Sequence, residues 1–136
     1  MRVVLDSNIL FSALISPHGF PDTIYRAWRA ARFELVTSHH QLNEIHRASR
    51  YPRLQAVLQP AKVGTMINNL QRAIVLEKLT LTHECADPDD AFLLAMALQG
   101  EADYLVTGDK RAGLLQRGHI ERTRIVIPAV FCADVL

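Results

Sequence analysis

The chain has 136 residues, and 49% of them are apolar, enough for the core of one compact domain of common size. Charged residues interrupt every apolar run before the ~18–20 residues that span a bilayer, and the first residues enter a strand pattern directly without a signal-peptide pattern, so a cytosolic protein with no membrane partner is the default expectation. Lys and Arg number 15 against 14 Asp and Glu, so bulk charge selects no partner, while Cys85 and Cys132 lack zinc or redox spacing and fit small apolar residues of a reducing compartment.

Residues 2–5 are a short β-branched and apolar run, a buried first strand that ends at Asp6. Residues 8–15 have helical character, with Ile9, Leu10, Ala13 and Leu14 on one side, and Ser16-Pro17-His18-Gly19 breaks them off. A second helix is expected over 22–32 on the stripe Ile24, Ala27, Trp28 and Ala31. Residues 33–37 form the second strand. Ser38 then opens a third helix with Gln41 three residues on, a capping box in which the Ser oxygen accepts one free N–H and the Gln side chain reaches back to another. Leu42 and Ile45 face the core, and Glu44 lies about one and a half turns into the helix. Tyr51-Pro52 ends or bends this segment, and 53–58 form a short further helix.

Pro60 opens the next helix where its missing N–H costs nothing, with Val63, Met66, Ile67, Leu70 and Ile74 at helical period. Residues 74–81 fit either the end of that helix or a short strand. Asp87-Pro88 starts an acidic helix that is apolar on nearly all sides from Ala91 to Leu98 and therefore belongs between other layers; Gly100 closes it. A strand over 103–107, a short helix over 110–116, a final strand over 124–127 and a closing helix over 128–135 complete the chain. The alternation predicts a three-layer α/β/α domain spanning 1–136, built on a central parallel sheet.

In such a sheet Asp6 and Asp109 emerge on one edge, beside the starts of the following helices, where ligands of parallel sheets bind. Asp90, in the first turn of its helix, and Glu44 complete a set of four. Taken singly, each Asp suits a helix N-terminus as cap or dipole partner. Converging, the four would raise one another's pKa values unless a cation sat among them. Oxygen donors suit Mg²⁺ or Mn²⁺, and a cluster of this kind can prepare water for in-line attack on a phosphodiester. His40 lies one turn from Glu44 and could share a metal, but no His-Glu-x-x-His spacing supports a zinc protease. No glycine-rich phosphate loop follows a strand, and Asn8 stands where a dehalogenase-type phosphatase needs a second acid. Basic residues cluster over 26–53 and 110–124. For most of them a solvated face is the simple account, but such groups also contact phosphate.

The ordered set Val3-Val4-Leu5-Asp6-Ser7-Asn8, Val36-Thr37-Ser38 with Leu42-Asn43-Glu44-Ile45, Asp87-Pro88-Asp89-Asp90-Ala91-Phe92-Leu93-Leu94-Ala95, Ala102-Asp103-Tyr104-Leu105-Val106-Thr107-Gly108-Asp109-Lys110 and Ile125-Val126-Ile127-Pro128 resembles the PIN-domain family, including its small VapC-like toxins of toxin–antitoxin pairs. The resemblance implies a Rossmann-like sheet and a metal-dependent endoribonuclease. Its Mg²⁺ or Mn²⁺ would be held by Asp6, Glu44, Asp90 and Asp109, with Asn8, Ser38, Thr107 and Asp87 in support. Asp90 is taken as the third acid because Asp-Ala-Phe-Leu-Leu-Ala fits the helix that follows it in the family. With RNA as substrate, Arg47, Arg50, Arg53, Lys110 and Arg111 are expected to hold the backbone. A small antitoxin is the implied partner, and a homodimer is left open. The competing reading is a catalytically silent PIN scaffold that only binds protein or RNA.

Overall fold

The structure, a computed structural model, describes residues 1–108 and 113–136. Asp109, Lys110 and Arg111 lie outside the described residues, and with them the expected site roles of these three side chains.

The strands β1 (Arg2–Leu5), β2 (Glu34–Ser38), β3 (Ile74–Leu76) and β4 (Tyr104–Val106) join β5 (His119–Ile120) and β6 (Thr123–Val126) in one sheet, ordered β3-β2-β1-β4-β6-β5. All neighbours run parallel except β5, which pairs antiparallel with β6. The expected parallel sheet is thus mostly parallel with one antiparallel edge. Two residues carry no period by which β5 would announce itself. Its turn is the dipeptide Glu121-Arg122, with Glu121 at a positive φ of 49°.

Successive strand residues point to opposite faces, and that alternation divides the core. Val3, Leu5, Leu35, Val106 and Val126 pack on one side with residues of α1 (Ser7–Ile15), α2 (Phe20–Arg29), α3 (His39–Ala48), α5 (Pro60–Leu70) and α8 (Pro128–Val135). Val4, Val36, Leu105 and Ile125 pack on the other with α6 (Pro88–Gln99). The short α4 (Pro52–Gln55) and α7 (Leu114–Arg117) complete the described elements. Three layers result. The apolar helix α6 is the one expected to be covered on most sides, and Ala91, Leu93, Leu94, Ala95, Met96 and Ala97 are all buried.

Several boundaries move for local reasons. The second helix runs Phe20–Arg29 rather than 22–32, because Ala31 turns to a positive φ of 60°, which excludes Arg32 from it. The helix opened by Pro60 stops at Leu70, and Ile74 pairs with Val36 in β3, so the strand alternative holds for 74–76, while 77–81 form neither strand nor helix. Both cysteines are free and half-buried, each packed against one of the two cores.

The capping box is only half made. Ser38 Oγ accepts from the backbone N–H of Gln41 at 3.1 Å, but the Gln41 side chain does not reach back. It is buried, accepts from Thr37 Oγ1 at 2.7 Å, and donates through Nε2 to the Leu5 carbonyl at 2.7 Å and to Ser7 Oγ at 3.2 Å. One amide therefore ties the ends of β1 and β2 to α3. Gln41→Leu keeps the volume and strands those groups without partners, so urea unfolding should show a loss of about 2 kcal/mol; an unchanged midpoint would remove Gln41 from this role.

Candidate active site

Chain connectivity decides where the cleft opens. From β1 the chain steps outward to β2 and β3, then returns through α6 to β4 on the other side of β1. The crevice at such a reversal, beyond the carboxyl ends of the strands, is the ligand site of open parallel sheets. Here it lies between the ends of β1 and β4. Leu5 pairs with Val106, so Asp6 and Thr107 leave the sheet side by side.

Asp6 is held from both oxygens. Thr107 Oγ1 donates to Oδ2 at 2.9 Å, and the backbone N–H of Asn8 donates to Oδ1 at 3.1 Å, which also makes Asp6 the N-cap of α1. Thr107 is fully buried. Its hydroxyl is directed at the Asp6 carboxylate, and Asn8 reaches the same acid through its main chain. Ser38 does not line the cleft; it caps α3. Glu44 receives a 2.5 Å hydrogen bond from Ser7 Oγ. Ser7 was not singled out from sequence, although its place directly after the strand-end Asp6 is the signal that would have found it.

Asp6, Glu44, Asp87, Asp89 and Asp90 all line one cleft of about 340 Å³. Asp87, Asp89 and Asp90 sit at the N-terminus of α6, where the dipole favours negative charge. Asp87 caps α6 by accepting from the backbone N–H of Asp89 at 2.9 Å, and Asp90 is buried. Asp89 is exposed and reaches toward α3: one donor atom each of His40, Glu44 and Asp89 lie within 4.8 Å of one another. Asp89 thus has a closer relation to Glu44 than the sequence suggested, and His40 belongs to the cleft as well. Its ring stacks on Phe92, centroids 3.6 Å apart and planes at 11°.

The charge balance shows in Glu44. Burial pushes its carboxyl upward from the ordinary carboxylate range; the Ser7 hydrogen bond pulls it back, Asp89 raises it, His40 lowers it and Asp6 raises it again. At the opposite, amino-terminal end of β4 Asp103 is held low by the backbone N–H of Arg2 and then by Arg122, whose guanidinium is 2.7 Å away. One acid is compensated by the protein; the other faces further acids. A carboxyl raised in the folded state contributes stability that is present below its unfolded pKa and is lost as pH rises through the folded value. Glu44→Gln, which can keep the Ser7 bond, should therefore stabilise the protein at neutral pH in EDTA and flatten the decline between acidic and neutral pH. Urea melts at the two pH values check this, and an equal or steeper decline in the variant would contradict it.

Arg47 and Arg53 line the same cleft, on the wall formed by α3 and α4, together with Tyr51. Arg50 points elsewhere: its guanidinium meets His46 Nε2 at 2.8 Å, and it borders a separate depression with Leu58 and Pro60. The expected basic trio is therefore a pair at the cleft. Arg47 lies within α3 and Arg53 within α4, whereas Arg50 falls in the turn between the two helices, a placement that spacing alone left open.

A three-layer fold with a carboxylate-lined cleft at its topological switch point defines a Rossmann-like protein of PIN type. The chain belongs to the PIN domain family, whose model matches residues 2–111. It is also 29% identical over 114 residues to the uncharacterized protein MJ1680 of Methanocaldococcus jannaschii, covering 81% of this chain and 72% of that one. PIN domains are generally nucleases that use divalent metal ions. The donors in the cleft fit such an ion: they are mainly carboxylate oxygens, the set that hard divalent cations take, and Asp89 and Asp6 stand near enough to Glu44 to act on its charge.

Proposed function

We propose that this protein is an endoribonuclease that hydrolyses RNA phosphodiester bonds with Mg²⁺ or Mn²⁺. Asp6, Glu44 and Asp90 would hold the cation, together with Asp109 on the strength of the family resemblance. The observation that supports this most is that acids from the end of β1, the middle of α3 and the start of α6 line one cleft at the switch point. When bound, the cation supplies charge neutralisation and Lewis-acid polarisation at the scissile phosphate.

The side chains divide the remaining work. Thr107 and the Asn8 amide fix the direction of the Asp6 carboxylate, and Ser7 does the same for Glu44. Arg47 and Arg53, on the cleft wall, take the flanking phosphates. In keeping with the likeness to VapC-like toxins, the proposed partner is a small antitoxin that places an arginine among the acids, and the proposed compartment is the cytosol.

The test is cleavage of several unstructured RNAs in Mg²⁺ or Mn²⁺ against EDTA. Cutting only with metal supports the proposal, while no cutting under any of these conditions favours the silent scaffold. RNA binding measured in EDTA should weaken steeply with salt, and Arg47→Ala and Arg53→Ala should each reduce the log–log salt slope by roughly 0.7, one single-strand phosphate contact. Unchanged slopes would take the two arginines out of the RNA path.

A further inference from the structure

We infer that His40, Glu44 and Asp89 together make a nitrogen-and-oxygen seat for a transition ion, so that the cleft selects Mn²⁺ or a later first-row ion over Mg²⁺. This rests on the metal-dependent reading above in so far as Glu44 is shared between the two sets.

The geometry comes from two helices. His40 and Glu44 are four residues apart on α3 and so present on one face, while Asp89 is delivered by the first turn of α6. Their donor atoms lie within 4.8 Å of one another. Two ligands bonded to one ion at about 2.1 Å each stand about 3.0 Å apart at a right angle and about 4.2 Å apart in line, so side-chain movements of up to about an ångström bring all three into a shared coordination sphere. The exposed Asp89 has the freedom to supply that movement. The imidazole is already constrained, because its face lies flat on Phe92, which leaves the ring edge with its two nitrogens for other partners.

Donor chemistry then sets the preference. Imidazole suits the later first-row ions best, and Mn²⁺, the first of that series, accepts a nitrogen beside its carboxylates, whereas Mg²⁺ takes oxygen ligands at near-ideal octahedral geometry and gives up its water reluctantly. A cleft with carboxylates alone would not distinguish the two classes in this way. The nitrogen of His40 is the feature that does.

The experiment is pulsed electron paramagnetic resonance on the full chain loaded with Mn²⁺, in the absence of RNA. The wild type should show modulation from a coordinated ¹⁴N nucleus. His40→Phe keeps an aromatic ring for the stack on Phe92 and removes the donor; it should lose the modulation and bind Mn²⁺ about tenfold more weakly or worse, with Mg²⁺ affinity unchanged. No nitrogen modulation in the wild type overturns the inference, whether or not the variant folds, and so does an unchanged Mn²⁺ affinity in folded His40→Phe. Because RNA is absent, a protein that never cuts RNA can still pass this test. A protein that cuts RNA with an all-oxygen Mn²⁺ signal fails it while the nuclease reading stands.

Discussion

Asp6→Asn should abolish RNA cleavage without loss of fold. Asn is isosteric with Asp and retains a carbonyl oxygen for the Thr107 hydroxyl or the Asn8 amide, the two bonds that now orient the side chain. What disappears is one negative charge at the crevice between β1 and β4. A cation's stabilisation of a phosphoryl transition state is worth several kcal/mol, and losing about 4 kcal/mol of it lowers the rate on the order of 10³-fold. Asp90→Asn, at the start of α6, should behave alike. The melting temperature in EDTA should not fall, because Asp6 is among the charges that raise Glu44. Cleavage rates measured beside circular dichroism melts decide the matter: cutting at the wild-type rate by folded Asp6→Asn would end the assignment of this cleft as the active site.

Gly100→Ala should destabilise the protein by about 3 kcal/mol, at the upper end of the cost of one added methyl group in a packed core. Gly100 follows α6 directly. A Cβ there would stand 2.6 Å from Cγ1 of Val36, 3.1 Å from its Cγ2 and 2.9 Å from the Met96 carbonyl oxygen. Val36 is fully buried in the middle of β2, and its branched side chain is stiff about χ1, so the helix has to give way. The displacement travels along α6 to Asp89 and Asp90 and should reduce activity beyond what unfolding accounts for. Gly64→Ala is the control. It lies on the exposed side of α5 with nothing within 4 Å of the added carbon, and should stabilise the helix by up to about 1 kcal/mol. Urea midpoints for the two variants test the contrast, and a Gly100→Ala protein as stable as the wild type would show that α6 and β2 are not in close contact there.

The candidate acids were visible in the sequence because each stands at a boundary that local pattern reveals. Asp6 ends an apolar run, Asp87, Asp89 and Asp90 surround a proline at a helix start, and Glu44 follows a capping signal. The expected strands reappear within about a residue of their positions for the same reason: apolar β-branched runs buried on both faces leave little choice. The adjacent acids of α6 were harder. Successive helix residues turn by about 100°, so whether Asp89 or Asp90 faces α3 depends on how α6 is rotated in its packing, which no window of sequence records. Gln41 shows the same gap. Its spacing from Ser38 is that of a capping box, yet the buried ends of β1 and β2 offer its amide stronger partners than the free N–H at the helix start.

Local chemistry alone thus determined an alternating α/β chain and the strand end that carries Asp6, while the family followed from the resemblance of the ordered motifs. Tertiary structure decided which side chains meet: Ser7 with Glu44, His40 with Phe92 and Asp89, and Arg47 and Arg53 but not Arg50 at the cleft. The division has a physical cause. Strand and helix boundaries follow from neighbours along the chain, whereas the phase of a helix and the company of a side chain are set by the layers packed against it.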